Sequence, residues 1–277
     1  MNLFDSHSHL NDEKFDEDRD KVINEIYASG VTNFITAGYS VESSRKAIQI
    51  SNNYNFSYAI VGVSPNDIPQ DENKLWKDIK EIKNLAQNNS KVLAIGEIGL
   101  DYYWNTDNKE IQKRAFIEQI KLANELNLPI VIHTRDAVMD TIQILKDNPV
   151  NNKGVFHCCP QNRELIKEAL KLNFYISFAG PITFRNSKDA DEIIKLVPND
   201  RILIETDSPY LAPEPVRGTR NTPANVRFIA EKIASVKGLS LEEIGKITEK
   251  EKQIIKNGHI EILNQPKSDA LYSVKFK

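Results

Sequence analysis

Two histidines stand one residue apart near the start of the chain, in the segment DSHSH that contains His7 and His9. The whole chain has only five histidines among 277 residues. Side chains two residues apart on a β-strand point to the same side, so this pair could bring two imidazoles to one metal ion. Chance pairing on a surface loop explains an isolated His-x-His about as well, because imidazole is common outside metal sites. Whether His7 and His9 bind metal therefore depends on the other reactive residues of the chain.

Four more candidate ligands stand at the ends of short apolar segments: Glu97, His133, His157 and Asp207. A lone histidine in such a place is more often structural. A carboxylate inside VLAIGEIGL is harder to explain, because burying a charge without a partner is costly, and Asp207 after RILI raises the same problem. Two buried carboxylates beside four imidazoles have a joint explanation, which is divalent metal.

The number of donors favours two metal ions. Mixed imidazole and carboxylate donors suit Zn, Mn, Fe or Co, and carboxylates with water suit Mg, so the identity of the metal stays open. One catalytic zinc keeps three protein ligands and an open position, which is fewer than the donors available here. Two ions about 3.5–4 Å apart, sharing a carboxylate, account for the number better. Cys158 and Cys159 are expected to be small buried residues and not ligands.

Eight apolar segments must position these donors, and they alternate with polar segments of helical periodicity. The segments are residues 2–7, 32–38, 56–63, 91–99, 129–134, 154–158, 174–180 and 201–207. The alternation predicts an α/β fold, a (β/α)₈ TIM barrel, as a single domain over 1–250 with a divergent tail at 251–277. All six donors then lie at the C-terminal mouth of the barrel. A doubly wound open sheet is the alternative, but DSHSH stands where its Gly-rich phosphate turn is usual.

Composition limits the partners. The formal net charge is -3, which argues against a globally basic polyanion binder, so a nucleic acid would need a local patch or metal ions. The two cysteines are adjacent and form no disulfide framework, which fits a reducing compartment. We find neither a signal peptide nor an apolar run of membrane-spanning length. We therefore expect a cytoplasmic protein without membrane association or an obligate protein partner.

Six motifs resemble those of the TatD family of metal-dependent deoxyribonucleases, which belongs to the amidohydrolase superfamily. They are D-S-H-S-H-L at 5–10, G-E-I-G-L-D-Y at 96–102, H-T-R-D-A at 133–137, F-H-C at 156–158, E-T-D-S-P-Y-L-A-P at 205–213 and G-T-R-N-T-P at 218–223. The resemblance runs from about residue 3 to about residue 248. It implies hydrolysis of phosphodiester bonds in DNA, often from the 3′ end, with Mg or another divalent ion.

The resemblance also implies roles for the matching residues. One ion would be bound by His7, His9, Glu97 and Asp207, and the other by Glu97, His133 and His157. Glu97 would thus bridge the ions, and Asp207 would also orient or deprotonate the attacking water, which makes these two the catalytic residues. Glu205 precedes Asp207 by two, so it should lie deeper on the same side and accept the N–H of a ligand histidine. A buried ion pair between Glu205 and Arg135 is the alternative.

Substrate contacts are predicted for Arg135, Tyr102 and Ser64. Arg135 follows His133 by two and could hold a phosphate, although an ion pair at a helix start explains it equally well. Tyr102 opens the segment YYW, whose rings could stack on bases or pack under the rim. Ser64 and Asn66 replace the two histidines of the family's G-x-H-P-H loop, which lie near substrate. The family's C-terminal T-x-x-N-x-x-x-L-F pattern is also missing.

Two rival functions remain. A related hydrolase of the same superfamily could act on another ester or on an amide, because the fold does not determine the substrate. Glu97 as the bridging group, in place of a carboxylated lysine, argues against the amidohydrolases of nitrogenous rings. The other rival is a metal-binding scaffold with weak activity, which only the missing loop histidines support.

Overall fold

Eight strands alternate with helices in the computed structural model, which describes residues 2–104 and 106–249. The strands are β1 (Leu3–Ser8), β2 (Val31–Ala37), β3 (Ser57–Val61), β4 (Val92–Asp101), β5 (Ile130–Arg135), β6 (Gly154–Phe156), β7 (Tyr175–Phe178) and β8 (Ile202–Ile204). The helices are α1 (Arg19–Ala28), α2 (Val41–Asn53), α3 (Glu72–Gln87), α4 (Lys109–Leu126), α5 (Val138–Asp147), α6 (Arg163–Lys171), α7 (Ala190–Leu196), α8 (Val226–Lys237) and α9 (Leu241–Glu249). Each predicted apolar segment overlaps one of the strands.

The strands pair in parallel in chain order from β1 to β8 and form a nearly closed barrel. At the seam, the Ser6 hydroxyl donates to the Ile204 carbonyl at 3.0 Å and the Asp207 amide donates to the His7 carbonyl at 2.9 Å. The buried Asp5 carboxylate accepts both the amide and the hydroxyl of Thr206, at 2.9 and 2.5 Å. The predicted (β/α)₈ barrel is confirmed, and the alternative of an open doubly wound sheet is wrong.

Apolar side chains fill two layers, because successive residues of a strand point to opposite faces. One layer fills the inside of the barrel and includes Phe4, Ile35, Ile60, Leu93 and Val131. The other lies between the strands and the surrounding helices and contains most of the remaining core. Strands buried on both faces are apolar almost throughout, which is why they stand out as continuous runs in the sequence.

A glycine allows β4 and β5, which carry two of the predicted ligands, to pack closely. Gly99 in β4 has φ +140°, and a Cβ atom there would lie 2.0 Å from the carbonyl oxygen of His133 in β5. Only glycine accepts both that backbone conformation and that approach. The close packing of β4 on β5 holds Glu97 and His133 side by side at the C-terminal mouth.

The limits of the domain were also predicted. The boundary at residue 250 and the tail 251–277 lie outside the described residues and stay a prediction. Over residues 2–104 and 106–249, no helix has the length and apolar character that crossing a membrane requires.

Candidate metal centre

All six predicted ligands meet at the C-terminal mouth of the barrel. His7 lies in β1 and His9 directly follows it, Glu97 lies in β4 and His133 in β5. His157 follows β6 directly, whereas Asp207 lies three residues beyond the end of β8. The chain turns at Asp207, whose φ is +54°, a conformation that aspartate tolerates better than most residues. This turn returns the carboxylate to the mouth.

One group of donors surrounds the Oε2 atom of Glu97. His7 Nε2 and His9 Nε2 lie 3.4 and 3.6 Å from Glu97 Oε2 and 3.3 Å from each other. Asp207 Oδ1 lies 3.3 Å from His9 Nε2 and 3.7 Å from His7 Nε2. Ligands about 2.0–2.2 Å from one ion in tetrahedral geometry lie about 3.3–3.6 Å apart. These four atoms therefore fit around a single cation.

A second group of donors surrounds the other oxygen of the same carboxylate. His133 Nδ1 lies 2.8 Å and His157 Nε2 lies 3.3 Å from Glu97 Oε1, and the two nitrogens are 3.2 Å apart. His7 stacks on His157 with ring centroids 4.1 Å apart, so His7, Glu97 and His157 also lie close enough to form a triad. Because His7 and His157 face different oxygens of Glu97, we assign them to different groups. This geometry suits two cations bridged by Glu97.

The carboxylates of the centre are ionised at neutral pH. Burial raises the pKa of Glu97, but His157, His133 and His7 outweigh burial and hold that pKa well below its usual value. His9 lowers the pKa of Asp207 in the same way, again against the effect of burial. Burial lowers the pKa of His9, yet the Asp207 and Glu97 carboxylates raise it to about 9. The site thus attracts positive charge, and a divalent ion would displace the protons of its histidines.

Groups behind the ligands orient the imidazole rings. His9 Nδ1 donates to the Ala37 carbonyl at 3.1 Å, which leaves Nε2 for a metal. His157 Nδ1 lies 3.3 Å from Glu205 Oε1, which also accepts the backbone N–H of Cys158 at 2.6 Å. Glu205 is fully buried on the side of His157 that faces away from Glu97, so its carboxylate can orient the His157 ring. Among the described residues it forms no ion pair with Arg135, the alternative raised by the sequence.

Asp101 is a further residue of the site that was not predicted from the sequence. Its Oδ2 atom lies 2.9 Å from His133 Nε2 and accepts the side-chain amide of Asn66 at 3.1 Å. Its Oδ1 atom accepts the backbone amides of Tyr103 and Trp104, at 2.9 and 3.2 Å. Burial raises the pKa of Asp101, but His133 outweighs it and lowers the pKa to about 2. Asp101 lies two residues beyond the apolar segment 91–99, but it ends β4, and its spacing of four from Glu97 could have indicated the same strand face.

The predicted substrate contacts have different outcomes. A cleft of about 740 Å³ opens over the donors, and its lining includes Ser64, Trp104 and Arg135. The Ser64 hydroxyl donates to Asp67 Oδ2 at 2.7 Å. Tyr102 lies outside the lining, and its hydroxyl donates to Asp140 at 2.7 Å below the rim. Trp104 therefore lines the cleft, whereas Tyr102 does not.

Replacing Asp101 by asparagine should weaken metal binding without preventing it. The change keeps the shape of the side chain but removes the acceptor charge that holds His133 Nε2–H, so Nδ1 is no longer aimed at the second group of donors. We expect metal affinity to fall by about 10–100-fold and excess metal to restore turnover in part. Calorimetric titration with Mn²⁺ measures the change. Asp67→Asn is the matched control, since Asp67 lines the same cleft but is hydrogen-bonded to Ser64 and to no ligand histidine. An equal loss of affinity in this variant would contradict the orienting role of Asp101.

Comparison with known proteins finds a matching family model and individual relatives. Residues 4–255 match the model of a family described as TatD related DNase. The metal-dependent hydrolase YabD of Bacillus subtilis is 45% identical over 248 residues, which cover 89% of this chain and 95% of YabD. The 3′-5′ ssDNA/RNA exonuclease TatD of Escherichia fergusonii is 33% identical over 245 residues, which cover 85% of this chain and 92% of that protein.

Solved structures agree with the fold. The crystal structure of YJJV, a TatD homologue from Escherichia coli, superposes with a TM-score of 0.86 at 23% sequence identity. The superposition covers 92% of this chain and 98% of the other. At that identity the likeness supports the barrel architecture alone.

Proposed function

This chain belongs to the TatD related DNase family of metal-dependent hydrolases, and we propose that it is a deoxyribonuclease that cleaves phosphodiester bonds from the 3′ end of DNA. One observation carries the proposal: the two oxygens of Glu97 face separate groups of donors, 2.8–3.6 Å away. Two cations held on either side of one carboxylate would suit in-line displacement at phosphorus. The exonuclease name of the Escherichia fergusonii relative supports the same substrate class.

We propose that the centre holds two divalent ions, Mg, Mn or Zn. The first would be held by His7, His9, Glu97 and Asp207, and the second by Glu97, His133 and His157. When bound, such ions supply Lewis-acid activation of water and neutralise charge on the phosphate. The donor set fits them, because it combines neutral imidazole nitrogens with ionised carboxylates and uses no thiolate.

Asp207 is the residue proposed to move a proton. Its side chain is 15% exposed, whereas that of Glu97 is 9% exposed and has both oxygens engaged by histidines. The lowered pKa of Asp207 keeps it ionised, so it can accept a proton from the attacking water. The water oxygen then forms a bond to phosphorus, the bond from phosphorus to the 3′ oxygen breaks, and the proton passes to the departing oxygen.

Arg135 is the residue proposed to bind phosphate. It is exposed at the end of β5 and lines the cleft beside His133. Among the described residues its guanidinium contacts two aromatic rings and no carboxylate. Its hydrogen-bond donors are therefore available for a phosphate group, and a chain of net charge -3 needs such local cations or metal ions to bind one.

A turnover assay tests the proposed function. We expect the protein, loaded with Mg²⁺ or Mn²⁺, to shorten a 5′-labelled single-stranded oligodeoxynucleotide stepwise from its 3′ end, and chelation with EDTA to stop the reaction. Hydrolysis of a simple ester or amide with intact oligonucleotide would favour another hydrolase of the superfamily. Stoichiometric metal without turnover of either substrate would favour a binding scaffold, and both results would contradict the proposal.

A further inference from the structure

Large apolar side chains are unusually exposed around the metal centre. Among the described residues, Tyr103 is 54%, Trp104 is 68%, Met139 is 81% and Tyr210 is 44% exposed. All four follow the C-terminal ends of strands, where the cleft opens. The remaining large exposed apolar side chain of the described part is Tyr27, which precedes β2 and so lies at the opposite end of the barrel. Exposed apolar surface concentrated at one place indicates a binding surface.

Three of the residues at the mouth form an organised surface, here named the aromatic shelf: Tyr103, Trp104 and Arg135. The guanidinium carbon of Arg135 lies 3.7 Å from the Tyr103 ring centroid and 5.4 Å from that of Trp104. The two rings meet edge to face, with centroids 4.9 Å apart and planes at 88°. Arg135 therefore covers the Tyr103 ring, while Trp104 remains the most exposed ring of the shelf.

The aromatic shelf is tied directly to the metal centre. Asp101 accepts the backbone amides of Tyr103 and Trp104 through Oδ1 and faces His133 Nε2 through Oδ2. His133 in turn faces Glu97 through Nδ1. One carboxylate and one imidazole thus separate the shelf from the proposed bridging residue. A group stacked on Trp104 would be held at a defined position relative to the reacting phosphate.

We infer that the aromatic shelf binds an unpaired nucleobase next to the scissile phosphate, with Trp104 stacking on the base and Arg135 contacting a neighbouring phosphate. The inference rests on the proposed function and adds the residues that would hold a base of the substrate. Aromatic side chains beside cations are the usual means of binding single strands without sequence preference. A base within a duplex is stacked on both faces and cannot reach the shelf. The shelf therefore suits an unpaired end, which agrees with the single-stranded substrate in the name of the Escherichia fergusonii relative.

Tryptophan fluorescence provides a test that does not require turnover. The chain has two tryptophans, and Trp76 lies on α3, away from the cleft lining. Trp76→Phe leaves Trp104 as the reporter. Titration of this variant with a short oligodeoxythymidylate in EDTA should quench the fluorescence, and adding Arg135→Ala should weaken the binding. A strand of the same length made entirely of abasic sugar phosphates should not quench.

A second test removes the base and the ring in turn. We expect loss of the 3′-terminal base to lower the kcat/KM of the wild type by about 10–100-fold, the scale of one stacked base. Trp104→Ala should lose a similar factor on the intact strand and almost nothing further on the abasic strand, whereas Trp104→Phe should recover part of the rate. Tyr27→Ala is the matched control, because it removes an exposed ring far from the mouth.

The possible results separate this inference from the proposed function. If the wild type shortens oligonucleotides but Trp104→Ala matches it on both strands, the shelf does not bind a base, although the nuclease proposal stands. Quenching by the abasic strand equal to that by oligodeoxythymidylate would likewise contradict base stacking. If the metal-loaded wild type cleaves no oligonucleotide at all, the nuclease proposal fails and the shelf loses its substrate.

Discussion

Replacing Glu97 by alanine should remove most of the bound metal and lower turnover by at least about 10³-fold, because one side chain serves both proposed ions. Its Oε1 and Oε2 atoms face separate histidine pairs, so the change deprives each group of a charged ligand. It also removes the negative charge that lies between the four imidazoles. Metal content by mass spectrometry and turnover at saturating Mn²⁺ measure the two losses.

A comparison with glutamine shows whether Glu97 bridges. Glu97→Gln keeps the volume and one acceptor oxygen, so we expect it to retain one group of donors and a metal content close to one ion per chain. Glu97→Ala should fall below that value. Circular dichroism and the thermal midpoint monitor folding, since a buried charge is removed from among its partners in both variants. Two ions bound to either variant, with turnover near that of the wild type, would show that the bridging role is wrong.

The barrel could be predicted because its strands are buried on both faces. Segments such as TNFITAG and RILIETD are apolar without alternation, and a strand of the structure overlaps every one of the eight. The convergence of the six donors followed from the same map, since parallel barrel strands end at one mouth. Strand identity and chain order were sufficient for these conclusions, and no side-chain detail was needed.

Details that depend on where a strand ends could not be predicted in the same way. The composition of RILIETD predicts one strand, but β8 ends at Ile204 and the chain turns at Asp207. Tyr102 was one of the three predicted substrate contacts, but its hydroxyl is bound to Asp140, and Trp104 is the ring that is exposed. Both differences arise beyond the regular strand, where the period of two no longer tells which way a side chain points.

Asp101 was missed for a different reason. It is a buried carboxylate like Glu97, but it lies two residues beyond the apolar segment 91–99, at the end of a strand that runs further than that segment. Its role depends on partners distant in sequence, because His133 lies on β5 and Asn66 on the loop after β3. Asn66 stands where the family often has a histidine, and it donates to Asp101 instead. The substitution therefore keeps a hydrogen-bond donor for the carboxylate that orients His133.

Asp207→Asn should lower kcat by about 10² or more at saturating metal, the usual scale for loss of a general base. Asparagine keeps an oxygen that can face His9, so the metal still binds, although more weakly, but the amide cannot accept a proton. Turnover and metal content must be followed together, in a titration with Mn²⁺ from limiting to excess. The signature of a lost base is a rate that levels off far below the wild type while the metal content reaches that of the wild type.

Glu205→Gln is the matched variant, because it neutralises a carboxylate of the same segment that contacts a ligand and not the reacting water. Its Oε1 atom faces His157 Nδ1 at 3.3 Å, so the change should loosen His157 and weaken metal affinity by about 10–100-fold. Excess Mn²⁺ should then restore most of the turnover of Glu205→Gln but not that of Asp207→Asn. Full rescue of Asp207→Asn by metal would mean that Asp207 serves only as a ligand and that another group accepts the proton.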